Sequence, residues 1–257
     1  MCLILFAYQA HPLYPLIVAA NRDEFYDRPA ARAGWWEHQP GLLAGKDLQA
    51  GGAWMGVHRS GRFAAITNYR EPGKVIAGAP SRGDLVTAYL AGNGSPEAYL
   101  HDLSVRGGQY NGFNLLTGDA GQLHYYSNRA GKPQALTPGI YGLSNHLLNT
   151  PWPKIRKGKA RLTHLLSTHF GPENLFEILL DRNMAPDHQL PETGVSMEWE
   201  RMLSAMFIQS PVYGTRVSSV LMVDRHGEVY FEERAYIPKG EPVTARFSLH
   251  THEIKTL

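Results

Sequence analysis

The chain has 257 residues, of which 43% are hydrophobic and 19% are charged, and its formal net charge is +2. That length suits one globular domain of generous size or two small ones, and the scattered, nearly balanced charge gives no strong indication of nucleic-acid or membrane-surface binding. A single cysteine excludes an internal disulfide framework and any CxxC metal or redox motif. Because no apolar run reaches membrane-spanning length and the start lacks a secretory signal, we expect a cytoplasmic protein without a membrane span.

Two short apolar runs at the start of the chain, residues 3–8 and 16–20, predict a β-hairpin. The loop between them holds two prolines, which cannot sit in a central ladder. If the loop is centred on Pro12, antiparallel pairing puts Cys2 opposite Arg22, with Asp23 beside it. The open end of this hairpin therefore collects a thiol, a guanidinium and a carboxylate.

This grouping has a chemical use if the initiator methionine is removed and Cys2 becomes the N-terminus. A terminal cysteine carries its own base, because the α-amino group has a pKa of roughly 7.7 to 8 and can take the thiol proton. Arg22 would favour the thiolate, and Asp23 could orient either cation. The alternative is that Cys2 is a small buried hydrophobic residue and that Arg22 and Asp23 form an ordinary surface ion pair.

Further strands are predicted by apolar runs between glycine-rich turns. Residues 53–58 and 62–68 predict a second hairpin that ends in Asn68, whereas the prolines and glycine of residues 27–41 predict a loop. Three more strand patterns follow at 110–118, 122–128 and 139–145, and Asn145 ends the last of these. The C-terminal part predicts three strands, at 215–224, 228–237 and 243–249.

Helices are predicted in two regions between these strands. Ser81 is a candidate cap for a first helix, and Ser95 followed by Pro96 begins a second. Residues 159–207 read as mainly helical, with Pro172 at a first helical position, and the basic cluster at 154–161 predicts a solvated helix start. This order of elements predicts an α+β fold with antiparallel sheets in one domain, 1–257. The phosphate-binding patterns GxGxxG and GxxxxGK[ST] are absent from the sequence.

Several separated motifs resemble those of the NRDE family, also called the transport and Golgi organisation type-two family. The resemblance covers nearly the whole chain and rests on these stretches: NRDE after the first hairpin, GGAWMGV, TNYRE, GLSN, the Trp-Pro-Lys at 152–154, LPETGVSMEWERMLSAMFI and YGTRVSSVLMVD.

The resemblance implies a four-layer αββα sandwich of the N-terminal-nucleophile hydrolase type, similar to bile salt hydrolases and penicillin V acylase. It implies catalytic positions that in this sequence fall on Cys2, Arg22, Asp23, Asn68 and Asn145. The hydrolases space their arginine and aspartate three residues apart, whereas here the two are adjacent, so either Asp23 or Glu24 could hold the acidic role. Their further arginine has only Arg216 as a weak candidate.

Two functions follow from the resemblance as expectations. The first is haem trafficking, with haem as bound cargo, a small-molecule pocket and haem-acceptor proteins as partners. The second is hydrolysis of a linear amide or an acyl thioester by Cys2, which requires no cofactor and no metal. Five residues are candidates for the pocket in either case: Trp54, Tyr69, Arg70, Tyr141 and Arg216. No histidine or methionine has spacing diagnostic of a haem ligand.

Overall fold

The computed structural model describes residues 2–236 and 242–251 and, for Cys2, the backbone. Its strands are β1 (Cys2–Tyr8), β2 (Leu16–Phe25), β3 (Ala30–Trp35), β4 (Leu42–Asp47), β5 (Met55–His58), β6 (Phe63–Asn68), β7 (Phe113–Gly118), β8 (Leu123–Ser127), β9 (Gln134–Ala135), β10 (Gly139–Leu143), β11 (Tyr213–Val223), β12 (Glu228–Ala235) and β13 (Val243–His250). Its helices are α1 (Gly83–Ala91), α2 (Pro96–Arg106), α3 (Pro153–Leu165), α4 (Pro172–Leu179) and α5 (Met197–Leu203).

The strands form two antiparallel sheets that pack face to face. One sheet has the order β10-β1-β2-β11-β12-β13, and the other has the order β3-β4-β5-β6-β7-β8-β9. Alternation along β1 assigns its two faces, since Ile4 and Phe6 pack between the sheets whereas Leu3 and Leu5 pack with residues of α3 and α4. Helices α1 and α2 cover the outer face of the other sheet. The expected four-layer αββα sandwich is therefore confirmed.

The first hairpin has the predicted register. Cys2 pairs with Arg22, and the pairing continues to Tyr8 opposite Leu16. Strands β10 and β11 flank this hairpin on its two sides, so β1 and β2 lie inside their sheet rather than at its edge. The charged end of the hairpin is consequently held by neighbouring strands and by the layers above and below.

The prediction of a loop at residues 27–41 is wrong in the middle of that stretch, which forms β3. This strand lies at the edge of its sheet and carries an irregular register between Ala31 and Gly34, so it tolerates residues with little strand propensity. No strand was predicted for β4, which pairs with β3. Its Leu42 and Leu43 are both fully buried, which explains why this short segment pairs as a strand.

Of the two predicted serine caps, one is confirmed and the other is wrong. Ser95 caps α2 through a hydrogen bond from the Ala98 amide at 3.1 Å, as expected. Ser81 does not cap α1, whose preceding residue Arg82 provides no side-chain cap. The basic cluster at 154–161 is not a wholly solvated helix start, because Lys154 is only 2% exposed.

The C-terminal strands β11, β12 and β13 agree with their predicted positions, although Ile237 of the predicted 228–237 segment lies outside the described residues. Within the part of the chain that the structure describes, no helix is both long and apolar enough to cross a membrane.

Candidate active site

The end of β2 sends two adjacent charged side chains to opposite faces of the sheet. Arg22 reaches the strand β4 of the opposing sheet, where its Nη2 donates to Asp47 Oδ2 at 3.1 Å. Asp23 lies on the helical side and accepts a hydrogen bond of 2.7 Å from the hydroxyl of Thr215 on β11. The period-two alternation of a strand thus gives each charge a separate environment.

Asp23 is the fully buried carboxyl group of the site, at 0% exposure. Burial raises its pKa above the ordinary value, while the Lys154 ammonium, the Thr215 hydroxyl and the Arg22 guanidinium act to lower the pKa. The proton affinity of this carboxyl group is therefore set by burial on one side and by the neighbouring cations on the other. The charge balance at the end of β2 therefore depends on Lys154 as well as on the arginine.

Arg22 is 6% exposed and is held by contacts on two sides. Its guanidinium carbon lies 4.5 Å from the ring centroid of Trp54, a cation–π contact, and Asp47 also binds Arg28 at 2.7 Å. The Nη1 atom of Arg22 is buried and has no hydrogen-bond partner within the described part of the chain. This arginine is thus fixed in place with one donor nitrogen uncommitted.

A cleft of about 260 Å³ opens at this end of the two sheets. Arg22, Asp23, Trp54 and Asn68 all contribute to its wall. Within the described ranges the side-chain amide of Asn68 makes no hydrogen bond, although the residue is half-buried. The Asn68 amide is therefore a donor that a ligand in the cleft can use.

Asn145 lies behind the cleft wall and supports it. The residue is fully buried, and its Nδ2 donates to the backbone carbonyl of Asn68 at 2.9 Å. Its own carbonyl accepts from the amide of Arg70 at 2.7 Å, and the Thr67 hydroxyl binds the carbonyl of Ser144. These bonds tie the end of β6 to the segment after β10, so Asn145 positions Asn68.

The five predicted catalytic positions therefore occupy one end of the sandwich. Arg22, Asp23 and Asn68 line the cleft, Asn145 contacts Asn68, and the backbone of Cys2 pairs with Arg22. The Cys2 side chain lies outside the described residues, and so does the predicted distance from its sulfur to the two charged groups.

The predicted pocket residues separate into different places. Trp54 lines the cleft, whereas Tyr69 and Arg70 line a second cavity of about 390 Å³. Tyr141 stacks on Phe6 with ring centroids 5.0 Å apart. Arg216 donates to the backbone carbonyls of three residues in the turn after β2: Phe25, Tyr26 and Arg28.

Asp23 and Glu24, the two candidates for the acidic role, have different surroundings. Glu24 has a side chain that is 21% exposed and lies 3.9 Å from both Arg22 and Arg28. Asp23, by contrast, is enclosed beside Thr215 and Lys154. Of the two residues, Asp23 is the one that is fully buried, and burial raises the pKa of its carboxyl group.

Sequence reasoning missed Lys154 and Asp47 as parts of this site. Lys154 lies in the first turn of α3, directly after Trp152-Pro153, and that motif was the signal available for it. Asp47 ends the unpredicted strand β4 and accepts from Arg22, Arg28 and two backbone amides of the following turn. No property of residue 47 alone indicated this role, because Arg22 reaches it from the other sheet.

The solved structures that are similar to this chain share little sequence identity with it. A Caenorhabditis elegans N-acylethanolamine-hydrolyzing acid amidase ortholog superposes with a TM-score of 0.49 at 11% identity, covering 86% of this chain and 92% of the other. A mutant of the conjugated bile acid hydrolase from Clostridium perfringens superposes with a TM-score of 0.46 at 12% identity, covering 97% of this chain and 92% of the other. Identity this low says nothing about the chemistry of this chain.

Similarity to known sequences is strong and extends from end to end. The Homo sapiens Transport and Golgi organization protein 2 homolog is 38% identical over 98% of this chain and 100% of its own, and the Mus musculus homolog is 36% identical over 98% of both. The Drosophila melanogaster protein is 27% identical over 94% of this chain and 95% of its own. The family model of Transport and Golgi organisation 2 matches residues 1–238. The chain therefore belongs to the Transport and Golgi organisation 2 family.

Proposed function

We propose that this protein hydrolyses an acyl amide or an acyl thioester with Cys2 as an N-terminal nucleophile. The observation that carries the proposal is the fully buried Asp23, which adjoins the residue paired with Cys2. A carboxyl group enclosed in this way beside Lys154 is costly for the fold, because burial of an ionisable group disfavours its charged form. Such groups cluster at sites of proton transfer.

The proposed reaction divides into two displacements. With Met1 removed, the α-amine of Cys2 takes the thiol proton, and the sulfur attacks the acyl carbonyl to form a tetrahedral oxyanion. The C–N or C–S bond then breaks, and the amine or thiol leaves with the proton from the α-amine. Water loses a proton to the same amine and attacks the thioester on Cys2; the acyl C–S bond breaks, the Cys2 sulfur takes the proton back from the amine, and the carboxylic acid leaves. The overall reaction consumes one water molecule for each acyl bond that is cleaved.

Three residues of the cleft supply the remaining functions in this proposal. Asn68 offers its uncommitted amide to the oxyanion, a contribution worth about 3 to 4 kcal/mol for one donor. Arg22 favours the thiolate, since a fixed cation lowers a thiol pKa. Asp23 stabilises the ammonium form of the terminal amine, and Asn145 keeps Asn68 in position. The cleft volume of about 260 Å³ holds the reacting end of a ligand, and the rest of a larger ligand extends outside.

The test is a panel of acyl amides and acyl thioesters offered to wild-type protein, to Cys2→Ala and to Val105→Ala. Val105 is 84% exposed, so its substitution controls for handling. We expect the Cys2 variant to lose turnover while it still binds substrate, and the Val105 variant to match the wild type. Turnover that survives in Cys2→Ala, or its absence in the wild type across the panel, contradicts the proposal.

Haem carriage is the second candidate function, and the cavity of about 390 Å³ supports it. Aromatic and imidazole rings line this cavity: Tyr69 and His146 are 4.9 Å apart, and His146 and Trp152 are 5.8 Å apart. Flat rings of this kind suit a planar ligand, and Lys74 at the rim could pair with a propionate. The Nε2 atom of His146 is 2.8 Å from the Tyr69 hydroxyl, so ligation of iron by His146 would replace that hydrogen bond.

A haem titration followed at the Soret band separates the two candidates. If the protein carries haem in this cavity, His146→Ala weakens binding whereas Cys2→Ala and the exposed control His226→Ala do not. If Cys2→Ala alone removes a thiolate-type spectrum, the cysteine is the axial ligand instead. Wild-type protein that binds no haem contradicts carriage at either place.

A further inference from the structure

The rim of the cleft is formed by the start of helix α1. Residues 79–83 line the cleft, and α1 begins at Gly83. The N-terminus of a helix carries partial positive charge, and in α1 the amides of Asp84 and Leu85 donate to the carbonyls of Ser81 and Arg82. On its own this feature identifies no ligand, because every helix has such an end.

The position of this helix end is fixed by a backbone contact. A Cβ atom placed on Gly52 would lie 2.2 Å from the carbonyl carbon of Gly83 and 2.6 Å from the amide nitrogen of Asp84. The amide of Ala53 also donates to the carbonyl of Gly83 at 3.3 Å. Glycine at position 52 therefore lets the first residue of α1 approach the cleft more closely than any other residue type would.

An independent observation on the opposite wall points to a ligand. The Arg22 side chain is 6% exposed, and its buried Nη1 atom has no hydrogen-bond partner among the described residues. A guanidinium nitrogen left unpaired at such a depth is costly, since a buried donor that lacks an acceptor loses its bond to water without replacement. An acceptor oxygen supplied by a ligand in the cleft would remove that cost.

The charged groups of the cleft wall balance in number, and most of them take part in internal contacts. The wall carries three arginines, Arg22, Arg28 and Arg82, and three carboxyl groups, and Arg82 donates to the backbone carbonyl of Gly112 at 3.0 Å. The Asp47 carboxylate is engaged by two of the arginines and two backbone amides, and Asp23 faces Thr215 and Lys154. Only Glu24 contributes a more open negative charge, and its Oε1 accepts from the amide of Phe25.

We infer that the cleft binds an oxyanion group of the ligand, of phosphate or carboxylate type, between the N-terminus of α1 and Arg22. Arg28 and Arg82 flank the bound group. If the oxyanion is part of the substrate, the inference rests on the proposed function, because the negative group then lies close to the acyl carbonyl. Binding of the anion itself requires neither Cys2 nor turnover. Guanidinium groups and the positive end of a helix dipole both favour such oxyanions.

The experiment is calorimetric titration of the full chain with inorganic phosphate and, separately, with acetate, at constant ionic strength adjusted with chloride. We expect one site per chain, and the tighter of the two probes assigns the anion class. Arg28→Gln should weaken that binding by about tenfold, in line with the loss of a charge-assisted hydrogen bond. Arg59→Gln is the matched control, because Arg59 is exposed and lies over the ring of Trp35.

A glycine pair tests the helix contribution without removing a charge. Gly52→Ala should abolish anion binding by displacing the start of α1, whereas Gly94→Ala, where an added Cβ meets no atom within 4 Å, should leave it unchanged. Thermal unfolding of each variant checks that it is folded, and the arginine pair decides the matter if Gly52→Ala does not fold.

The inference is overturned if neither anion binds the wild type more tightly than chloride does, or if Arg59→Gln weakens binding as much as Arg28→Gln. Failure of the proposed function looks different. In that case anion binding follows the expected pattern in the wild type and in Cys2→Ala alike, while no acyl substrate is hydrolysed.

Discussion

Asn145 donates its side-chain amide to the backbone carbonyl of Asn68 at 2.9 Å and so connects the ends of the two sheets. Asn68 ends β6 in one sheet, and Asn145 follows β10 in the other. Because Asn145 is fully buried, this bond is protected from exchange with water. The donor in the cleft wall is therefore set by a residue that does not itself line the cleft.

Asn145→Ala should destabilise the protein by about 1 to 3 kcal/mol, because it removes a buried hydrogen bond and leaves the Asn68 carbonyl without this donor. Urea denaturation measures the change in the free energy of unfolding. The exposed Asn93→Ala variant is the control and should change stability by less than about 0.5 kcal/mol. Equal stability of the two variants would show that the inter-sheet bond is unimportant.

Lys154 and Asp23 should be coupled in the free energy of unfolding. Lys154→Met removes a buried cation and leaves the Asp23 carboxyl in a poorer environment, which should cost about 3 to 5 kcal/mol. Asp23→Asn in the same chain should recover part of that loss, because the buried charge is then gone. Lys132→Met, at an exposed position, serves as the control. Strictly additive losses in this double-mutant cycle would rule out the coupling.

Glu233 should make stability depend on pH in the direction opposite to that of a salt-bridged carboxylate. The residue is 1% exposed, and its burial raises its pKa from 4.5 to about 7. Its Oε1 accepts from the Ala33 amide, and its Oε2 has no hydrogen-bond partner among the residues that the structure describes. Between these pKa values the folded state binds the proton and the unfolded state does not, so stability falls as pH rises from 4.5 to about 7.

Glu233→Gln removes this titration and should make the protein more stable than the wild type above pH 7, by up to about 3 kcal/mol. The measurement is the free energy of unfolding from urea denaturation at several pH values between 4.5 and 8. Glu37→Gln, at an exposed turn position, should reproduce the wild-type curve. Parallel curves for Glu233→Gln and the wild type would mean that this carboxyl group does not titrate in that range.

The parts of the fold that follow from local pattern were predictable from the sequence. The pairing of Cys2 with Arg22 follows from two apolar runs around one loop centre, and the Ser95 cap follows from a short local motif. The strand β3 was not predictable in this way, because alanine, glycine and tryptophan form a weak strand pattern and its pairing is completed by β4.

The site was predictable only where its residues follow strand ends. Asn68 ends β6 and lines the cleft, but the next two residues, Tyr69 and Arg70, face a second cavity, and nothing in their spacing indicates this change. Lys154 is buried and acts on the pKa of Asp23, which comes from a distant part of the chain. Partners that meet only through tertiary packing leave no periodic signal in the sequence.

In the proposed mechanism the free α-amine of Cys2 is the base of an acyl hydrolase. The most direct test compares two preparations of one sequence: one cleaved from a fusion so that Cys2 is the first residue, and one that retains Met1, each verified by intact mass and N-terminal sequencing. Both contain the thiol, but only the first has the amine next to it. We predict hydrolysis of an acyl substrate by the cleaved form and at least a hundredfold loss in the form that retains Met1, about the size of a general-base contribution. Equal rates in the two preparations would contradict the account.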